Sequence, residues 1–353
     1  MNLQSIIRQY KPALIKRYGH QLRPVQWQAM QAMERCRTPE AGQCRVRCLQ
    51  CEHEHWQALS CGNRSCPVCQ HHEVGLWLAR QQKKLLPVTY FMATFTLPAQ
   101  LRPLVRRHQK TLYGLFFDCV SRTLKDFGLN ADKLGADMGM TALLHTHSRQ
   151  LNYHPHLHVV IPGGGVDEKR RQWKKLKGRY LFNGVALAKV FRARFIEALQ
   201  QAGVSLPEKL PKKWVVNVCR VGKGLPALKY LSRYLYRGVI SEKNIIANQD
   251  GQITFRYIDS TTKQPAYRTL SGEAFLYLLL QHVLPRGFRR VRDYGFLHAN
   301  AKKRLLLIQL ILQVKIKPLQ PRQRPAFQCP QCHAPMVITM IRRRSRSISS
   351  ASG

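Results

Sequence analysis

Along this chain the period of apolar positions changes from two to nearly four and back, and those changes mark its elements. VTYFMATFTL, residues 88 to 97, is dense in aromatic and β-branched side chains and predicts a strand. From Leu101 to Phe127 apolar residues return at helical spacing, as Leu101, Leu104 and Val105 and then Leu112, Leu115, Phe116 and Cys119. TALLHTH (141–147) and YHPHLHVVI (153–161) read as two adjacent strands. A helix is expected near 186–201, then a strand at WVVNVCRV, a helical stretch at ALKYLSRYLYR, a strand at QITFRYID and a helix at SGEAFLYLLLQHVL. LLLIQLILQVKI reads as a buried helix, being too short and too closely flanked by charge for a membrane span. Strands and helices alternate irregularly, which predicts an α+β fold with a largely antiparallel sheet.

The cysteines divide this pattern. Seven of eleven lie between Cys36 and Cys69 and two more at Cys329 and Cys332. We therefore expect a helical, cysteine-organised, zinc-binding and DNA-binding domain over 1–80 and a mixed α/β domain over 85–312. A Pro/Arg-rich linker, a CxxC half-knuckle and a basic disordered tail then fill 313–353. Cys48-x2-Cys51 and Cys66-x2-Cys69, 14 residues apart, have near zinc-ribbon spacing. Each C-x2-C turn aims two thiolates at one point, and two turns complete a tetrahedron with no open position, so the expected zinc is structural. Buried structural cysteines would not need that paired spacing. Cys61 is a further candidate ligand, and Cys44, His53, His55, His71 and His72 are spares that leave a second metal or a shifted ligand set open. Cys329-x2-Cys332 with His333 is half a site: a degenerate knuckle, a redox-inert pair, or one side of a site completed elsewhere.

Charge identifies the partner. The chain has 58 Lys+Arg against 18 Asp+Glu, a formal net charge of +40. Such self-repulsion points to a polyanion, and nucleic acid fits because phosphate neutralisation dominates its binding. The basic clusters recur at 102–107, 169–177, 286–292 and 342–346, a broad surface more than a single tail. The first residues lack the apolar core of a signal peptide and no stretch is long enough to cross a bilayer, so a cytoplasmic, nucleoid-associated protein with no membrane partner is expected.

The candidate chemistry begins at NYHPHLHVVIPGGG, residues 152 to 165. On a strand His154, His156 and His158 share one face, while Leu157, Val159 and Ile161 face the core. With His145 and His147 on the preceding strand, the cluster reads as a metal site more readily than as chance core histidines. The glycines are expected to let the chain turn away beside DNA. A hydrolase would need carboxylate ligands, and no acid lies between Gln150 and Pro162. A nuclease with a tyrosine nucleophile needs none. Tyr230 and Tyr234, at i and i+4, would share a helix face with Lys229 and Arg233 beside them. By spacing alone, two aromatics packed on a core are the commoner outcome; the histidine strand upstream favours catalysis.

These parts together resemble the HUH (His-hydrophobic-His) endonucleases, the triplet here being His156-Leu157-His158. HPHLHVVIPGGG, YLSRYLYR, HVLPRGFRRVRDYGFL (282–297) and SCGNRSCPVCQ (60–70) narrow the resemblance. They are similar to the rolling-circle, two-tyrosine transposases of insertion-sequence family ninety-one, which carry an N-terminal zinc-binding domain. The resemblance runs over roughly residues 10–312. It implies an HUH endonuclease domain, a central, largely antiparallel β-sheet flanked by helices. It further implies attack by Tyr230 or Tyr234 on one DNA strand, leaving a 5′-phosphotyrosine and a free 3′-OH. His156 and His158 would hold magnesium or manganese, with the third ligand open among Gln150, His154 and His145. The family pattern departs at His147, where an aromatic is expected. The partners implied are single-stranded DNA at element ends and target, and a host replication helicase, since the chain has no Walker sequence. Lys174, Lys175, Lys177, Arg233, Arg286, Arg289 and Arg290 are the expected DNA contacts. Two alternatives are a plasmid or phage replication initiator with the same chemistry, and a non-catalytic zinc-containing DNA-binding protein.

Overall fold

The structure, a computed structural model, describes residues 2–343 apart from 68, 70, 177, 179, 227, 230–239, 260 and 316–325. The chain forms two compact units, each assembled from separated segments. One comprises Met1–His72, Arg237–Val283 and Pro321–Gly353; the other comprises Glu73–Tyr236 and Leu284–Gln320. The expected boundaries at 80, 85, 312 and 313 divide the chain along its sequence, whereas the compact units cross them.

In the first unit, α1 (Leu3–Tyr18) starts at Asn2, whose side chain accepts the Ser5 N–H. Its buried face, Leu3, Ile6, Ile7, Tyr10 and Leu14, follows helical spacing and packs on the helix Gly272–Gln281. α2 (Pro24–Glu34) also joins this packing: buried Gln26 donates to the Leu280 carbonyl at 2.8 Å. β1 (Gln43–Cys48) and β2 (Glu54–Ala58) form a hairpin. Three-stranded meander β9 (Ile245–Gln249), β10 (Gln252–Ile258) and β11 (Pro265–Ser271) leads into the helix Gly272–Gln281.

The second unit is built on one five-stranded sheet in which every neighbouring pair is antiparallel. Its order is β12 (Val291–Tyr294), β4 (Met140–His147), β5 (Tyr153–Pro162), β3 (Thr89–Thr96) and β8 (Val215–Lys223). One face buries Phe91, Phe95, Leu144, Leu157, Val159 and Ile161 under α5 (Gln109–Leu129) and α6 (Gly184–Gln201). The other face packs Tyr90, Leu143 and Val160 against Trp77 of α3 (His71–Gln82) and Ile308 of the helix Lys302–Ile311. Sandwiched between two apolar layers, β4 and β5 are buried along almost their whole length. The α+β architecture and antiparallel central sheet follow the expectation from the sequence.

Two expectations are corrected. The first seven residues of LLLIQLILQVKI lie in the helix Lys302–Ile311, but Leu306, Leu307, Leu310 and Ile311 are more than 45% exposed, and of this helix only Ile308 and Gln309 are buried. Its apolar residues run round the helix, so one side meets the sheet and the rest cannot. Of the PGGG glycines only Gly163 bends the chain. After Gly163, the chain continues as β6 (Gly164–Asp167), paired with β7 (Gln172–Lys175), and none of the three glycines has positive φ. They permit close approach: a Cβ at Gly165 would sit 2.6 Å from the Asp137 carbonyl oxygen, and one at Gly164 2.4 Å from the Trp173 ring. Among the described residues no helix is long and apolar enough to cross a membrane.

Candidate functional site

β4 and β5 place three imidazoles together. His145 lies directly opposite His156 across the ladder, and His158, two residues on, shares the face of His156. Ring centroids of His145, His156 and His158 stand 5.0, 4.5 and 4.9 Å apart, a nearly equilateral triangle. Each offers a nitrogen within 4.8 Å of the other two. His145 Nδ1 and His156 Nε2 are 3.2 Å apart, close to the separation of two nitrogens sharing one ion at about 2.1 Å each.

The outer hydrogen bonds fix how these rings present themselves. His156 Nδ1 donates to the His154 carbonyl at 2.7 Å, which leaves Nε2 as the free electron pair facing His145. Thr94, paired with His158 across β3 and β5, meets His158 Nδ1 through Oγ1 at 3.0 Å. Burial pushes the His156 imidazole down to about 4 and His158 down to about 3, so both are neutral ligands near neutral pH. The donor set of three neutral imidazoles fits a divalent metal, and no carboxylate belongs to the cluster.

Of the predicted ligands, the structure brings His156 and His158 together with His145, one of the three candidates for the third position. His154 is not part of the triangle: its Nδ1 accepts from Arg102 Nη2 at 2.8 Å. Gln150 stands in the turn between β4 and β5, where its Oε1 accepts from Asn152 Nδ2 at 3.2 Å. A register shift separates His145 from His147, and His147 pairs instead with Tyr153. Burial first, then the positive charges of Arg106 and Arg290, push His147 down to about 3. Arg106 also lies over the Tyr153 ring at 4.9 Å. Sequence reasoning missed Thr94 and Arg102; both lie at the end of a strand or the start of a helix that only the sheet order brings beside the histidines. Tyr230, Tyr234 and Arg233 lie outside the described residues, as does Lys177. Lys174 and Lys175 are exposed on β7, Arg286 and Arg289 are exposed, and Arg290 is half-buried with its carbonyl accepting the Leu144 N–H.

The cysteines form two clusters, not one. Cys66 and Cys69 join Cys36 and Cys61, while Cys48 and Cys51 join Cys329 and Cys332. In the first cluster, Cys36 and Cys69 sulfurs are 3.2 Å apart, Cys61 and Cys69 3.5 Å, and Cys66 and Cys36 3.8 Å. A tetrahedron of thiolates at about 2.3 Å from zinc has edges of about 3.8 Å, and disulfides are near 2.0 Å, so the spacing is that of a metal site. Hydrogen bonds from Cys61 and Cys66 draw the Cys69 thiol down, and hydrogen bonds to Cys66 and Cys69 push the Cys61 thiol up. Cys36, at the end of α2, carries no C-x2-C signal and was not anticipated. Buried Cys44, whose sulfur faces the Gln57 carbonyl at 3.6 Å, belongs to neither cluster. His71 and His72 side chains lie outside the described residues.

Comparison with known proteins adds three findings. Residues 6–97 match the family described as "Transposase zinc-binding domain" and residues 139–304 the family described as "Putative transposase". The chain is 30% identical to putative transposase y4qJ of Sinorhizobium fredii, over 93% of this chain and 94% of that one. It is 27% identical to the transposase for insertion sequence element IS801 of Pseudomonas savastanoi pv. phaseolicola, over 78% and 71%. Among solved structures, TrwC complexed with a 27-mer DNA comprising its recognition hairpin and cleavage site aligns over 64% of this chain and 75% of that one. The identity is 14% and the TM-score 0.28, too weak a likeness to establish a common fold.

Proposed function

This chain belongs to the IS91 family of transposases with an N-terminal zinc-binding domain, and on that premise we propose that it nicks and rejoins single-stranded DNA through a 5′-phosphotyrosine. The observation that carries the reading is the triangle of buried His145 and His158 with half-buried His156. Held there, a magnesium or manganese ion supplies Lewis-acid polarisation of the scissile phosphate. The His154 carbonyl and Thr94 hold the rings in place, and burial keeps them unprotonated. The phenolate of Tyr230 or Tyr234 attacks phosphorus, its proton passing to solvent. The bond to the 3′-oxygen breaks, and that oxygen leaves as a 3′-OH after protonation. The other tyrosine serves the second transfer, which joins the element to its target. Exposed Lys174, Lys175, Arg286 and Arg289, with Arg290, Lys177 and Arg233, lead the strand to the site by phosphate contact. The cluster Cys36, Cys61, Cys66 and Cys69 holds a structural zinc, since four protein sulfurs leave no position open. Unwinding is left to a host helicase.

The test is a covalent adduct. The full chain is incubated with labelled single-stranded oligonucleotides from an element end and manganese or magnesium. A protein–DNA adduct is expected, absent when the divalent ion is withheld, and lost in His156→Ala and in the double variant Tyr230→Phe, Tyr234→Phe. An adduct that survives in the double variant overturns the tyrosine assignment.

A further inference from the structure

The second cysteine cluster is only half covered by the matched family regions: Cys48 and Cys51 lie within 6–97, whereas Cys329 and Cys332 follow residue 304. Its two halves are local copies of each other. In Cys48-Leu49-Gln50-Cys51 the N–H of Cys48 donates to the His53 carbonyl, five residues on, at 2.9 Å. In Cys329-Pro330-Gln331-Cys332 the N–H of Cys329 donates to the Ala334 carbonyl, again five residues on, at 2.8 Å. The fourth residue after each first cysteine takes the left-handed conformation, Glu52 with φ 59 and His333 with φ 60. Neither is glycine, so each turn holds a non-glycine residue in a conformation that costs about 1–2 kcal/mol. This fold of the turn brings two sulfurs and adjacent N–H groups round to one point; the Gln50 and Cys51 N–H groups both approach Cys48 Sγ, at 3.4 and 3.5 Å.

The sheet then sets the two turns face to face. β13 (Phe327–Gln328) and β14 (Pro335–Arg342) flank the second turn as β1 and β2 flank the first. β14 pairs antiparallel with β1, giving the order β13-β14-β1-β2, and Cys48 lies opposite Met336. Across the join, Cys48 and Cys332 sulfurs are 3.4 Å apart, Cys51 and Cys329 3.5 Å, and Cys51 and Cys332 3.5 Å. These separations are too long for disulfides and near the edge of a zinc–thiolate tetrahedron. The core behind them is small: Cys44, Val46, Ala334 and Met336 with partly buried Leu59 and Phe327. An apolar cluster of that size does not hold a short strand pair on its own, and small zinc-stapled folds take much of their stability from the metal.

We propose that Cys48, Cys51, Cys329 and Cys332 form a second structural zinc site, separate from the Cys36 cluster. It is a two-knuckle ribbon whose halves come from segments 278 residues apart. Zinc is the expected ion because four thiolates in a closed tetrahedron suit it, and a soft donor set excludes magnesium and calcium. Its effect is to fasten β13 and β14 to β1, and so to fix where the arginine-rich segment that begins at Arg342 leaves the sheet.

Two measurements on the full chain test this. Purified wild-type protein is expected to carry two zinc ions by elemental analysis, and the double variant Cys329→Ser, Cys332→Ser one. Cys44→Ser, which alters a cysteine in neither cluster, should keep two. A double variant with unchanged zinc overturns the site, and iron in place of zinc overturns the metal assignment. Because the double variant could misfold, the second measurement uses the wild type alone. Cys51 and Cys332 are exposed, so as free thiols they alkylate readily under native conditions. Mapped by peptide mass spectrometry, both should resist iodoacetamide until zinc is chelated. Labelling of either one before chelation overturns the proposal, whatever the state of the Cys36 cluster.

Discussion

Thr94 has one hydroxyl and one evident task, to meet His158 Nδ1 at 3.0 Å. Replacing it with valine keeps the shape and removes the partner. Groups that orient a metal-bound imidazole typically contribute about 10–100-fold to affinity or activity. Thr94→Val should therefore raise the manganese concentration needed for half-maximal adduct by about that factor, with the plateau largely recovered at saturation. An unchanged titration would leave Thr94 no part in positioning the ring. The imidazoles give a second prediction. In the folded chain burial holds His156 near 4 and His158 near 3, whereas an unfolded histidine titrates near 6.5. Between those values the unfolded chain binds more protons, so this contribution to stability is complete above about pH 6.5 and is lost as pH falls through the folded values. Ring NMR signals of both should stay those of the neutral form from pH 7.5 down to 5.5; a midpoint near 6.5 would mean the rings are open to water. At this scale the sequence was informative about His156 and His158, because alternation on a strand is local. It was silent on the choice among Gln150, His154 and His145, because cross-strand register decides that and His145 opposes His156 only once the ladder is formed.

β5 succeeds as a rigid support because its two faces are both covered, and the glycines at its end serve the same packing. Gly165 lies so close to the Asp137–Val166 bridge that a methyl group would meet the Asp137 carbonyl oxygen and the Ala136 Cβ at 2.6 and 2.8 Å. Backbone cannot yield as a flexible side chain can. Gly165→Ala should cost about 1–3 kcal/mol and lower the melting temperature by several degrees. Gly178, with nothing near its missing Cβ but φ +91, offers a contrast in which strain arises from conformation alone. Differential scanning calorimetry of Gly165→Ala checks the first; a melting temperature equal to wild type would show that β6 has room to move. Element types were largely legible from periodicity, as at Gln109–Leu129, Gly184–Gln201 and Gln252–Ile258. What periodicity cannot give is which side a neighbour covers. LLLIQLILQVKI is apolar on every side and reads as buried, yet the sheet takes only the strip around Ile308.

Across the whole molecule the net charge of +40 is spread over separate segments, and its consequence is read in salt. Each phosphate contact on a single strand contributes a slope of about 0.7 in log affinity against log salt. Lys174→Gln with Lys175→Gln should flatten the slope for a single-stranded oligonucleotide by about 1.4 if both exposed lysines touch phosphate, measured by fluorescence anisotropy from low to physiological salt. No change would take β7 off the strand's path. Long-range assembly was the least legible part of the chain. Cys48-x2-Cys51 and Cys66-x2-Cys69 read as one ribbon because they are close in sequence, whereas the fold assigns them to different clusters. That mismatch has a consequence in time. At about 5–20 residues per second, roughly 15–60 s separate the synthesis of Cys51 from that of Cys329. Throughout that interval Cys36, Cys61, Cys66 and Cys69 can already close their own tetrahedron, whereas Cys48 and Cys51 wait for their partners. The first site can thus be filled early and the second only late, and a ribosome that stalls before Cys329 leaves Cys48 and Cys51 as an open pair of thiolates.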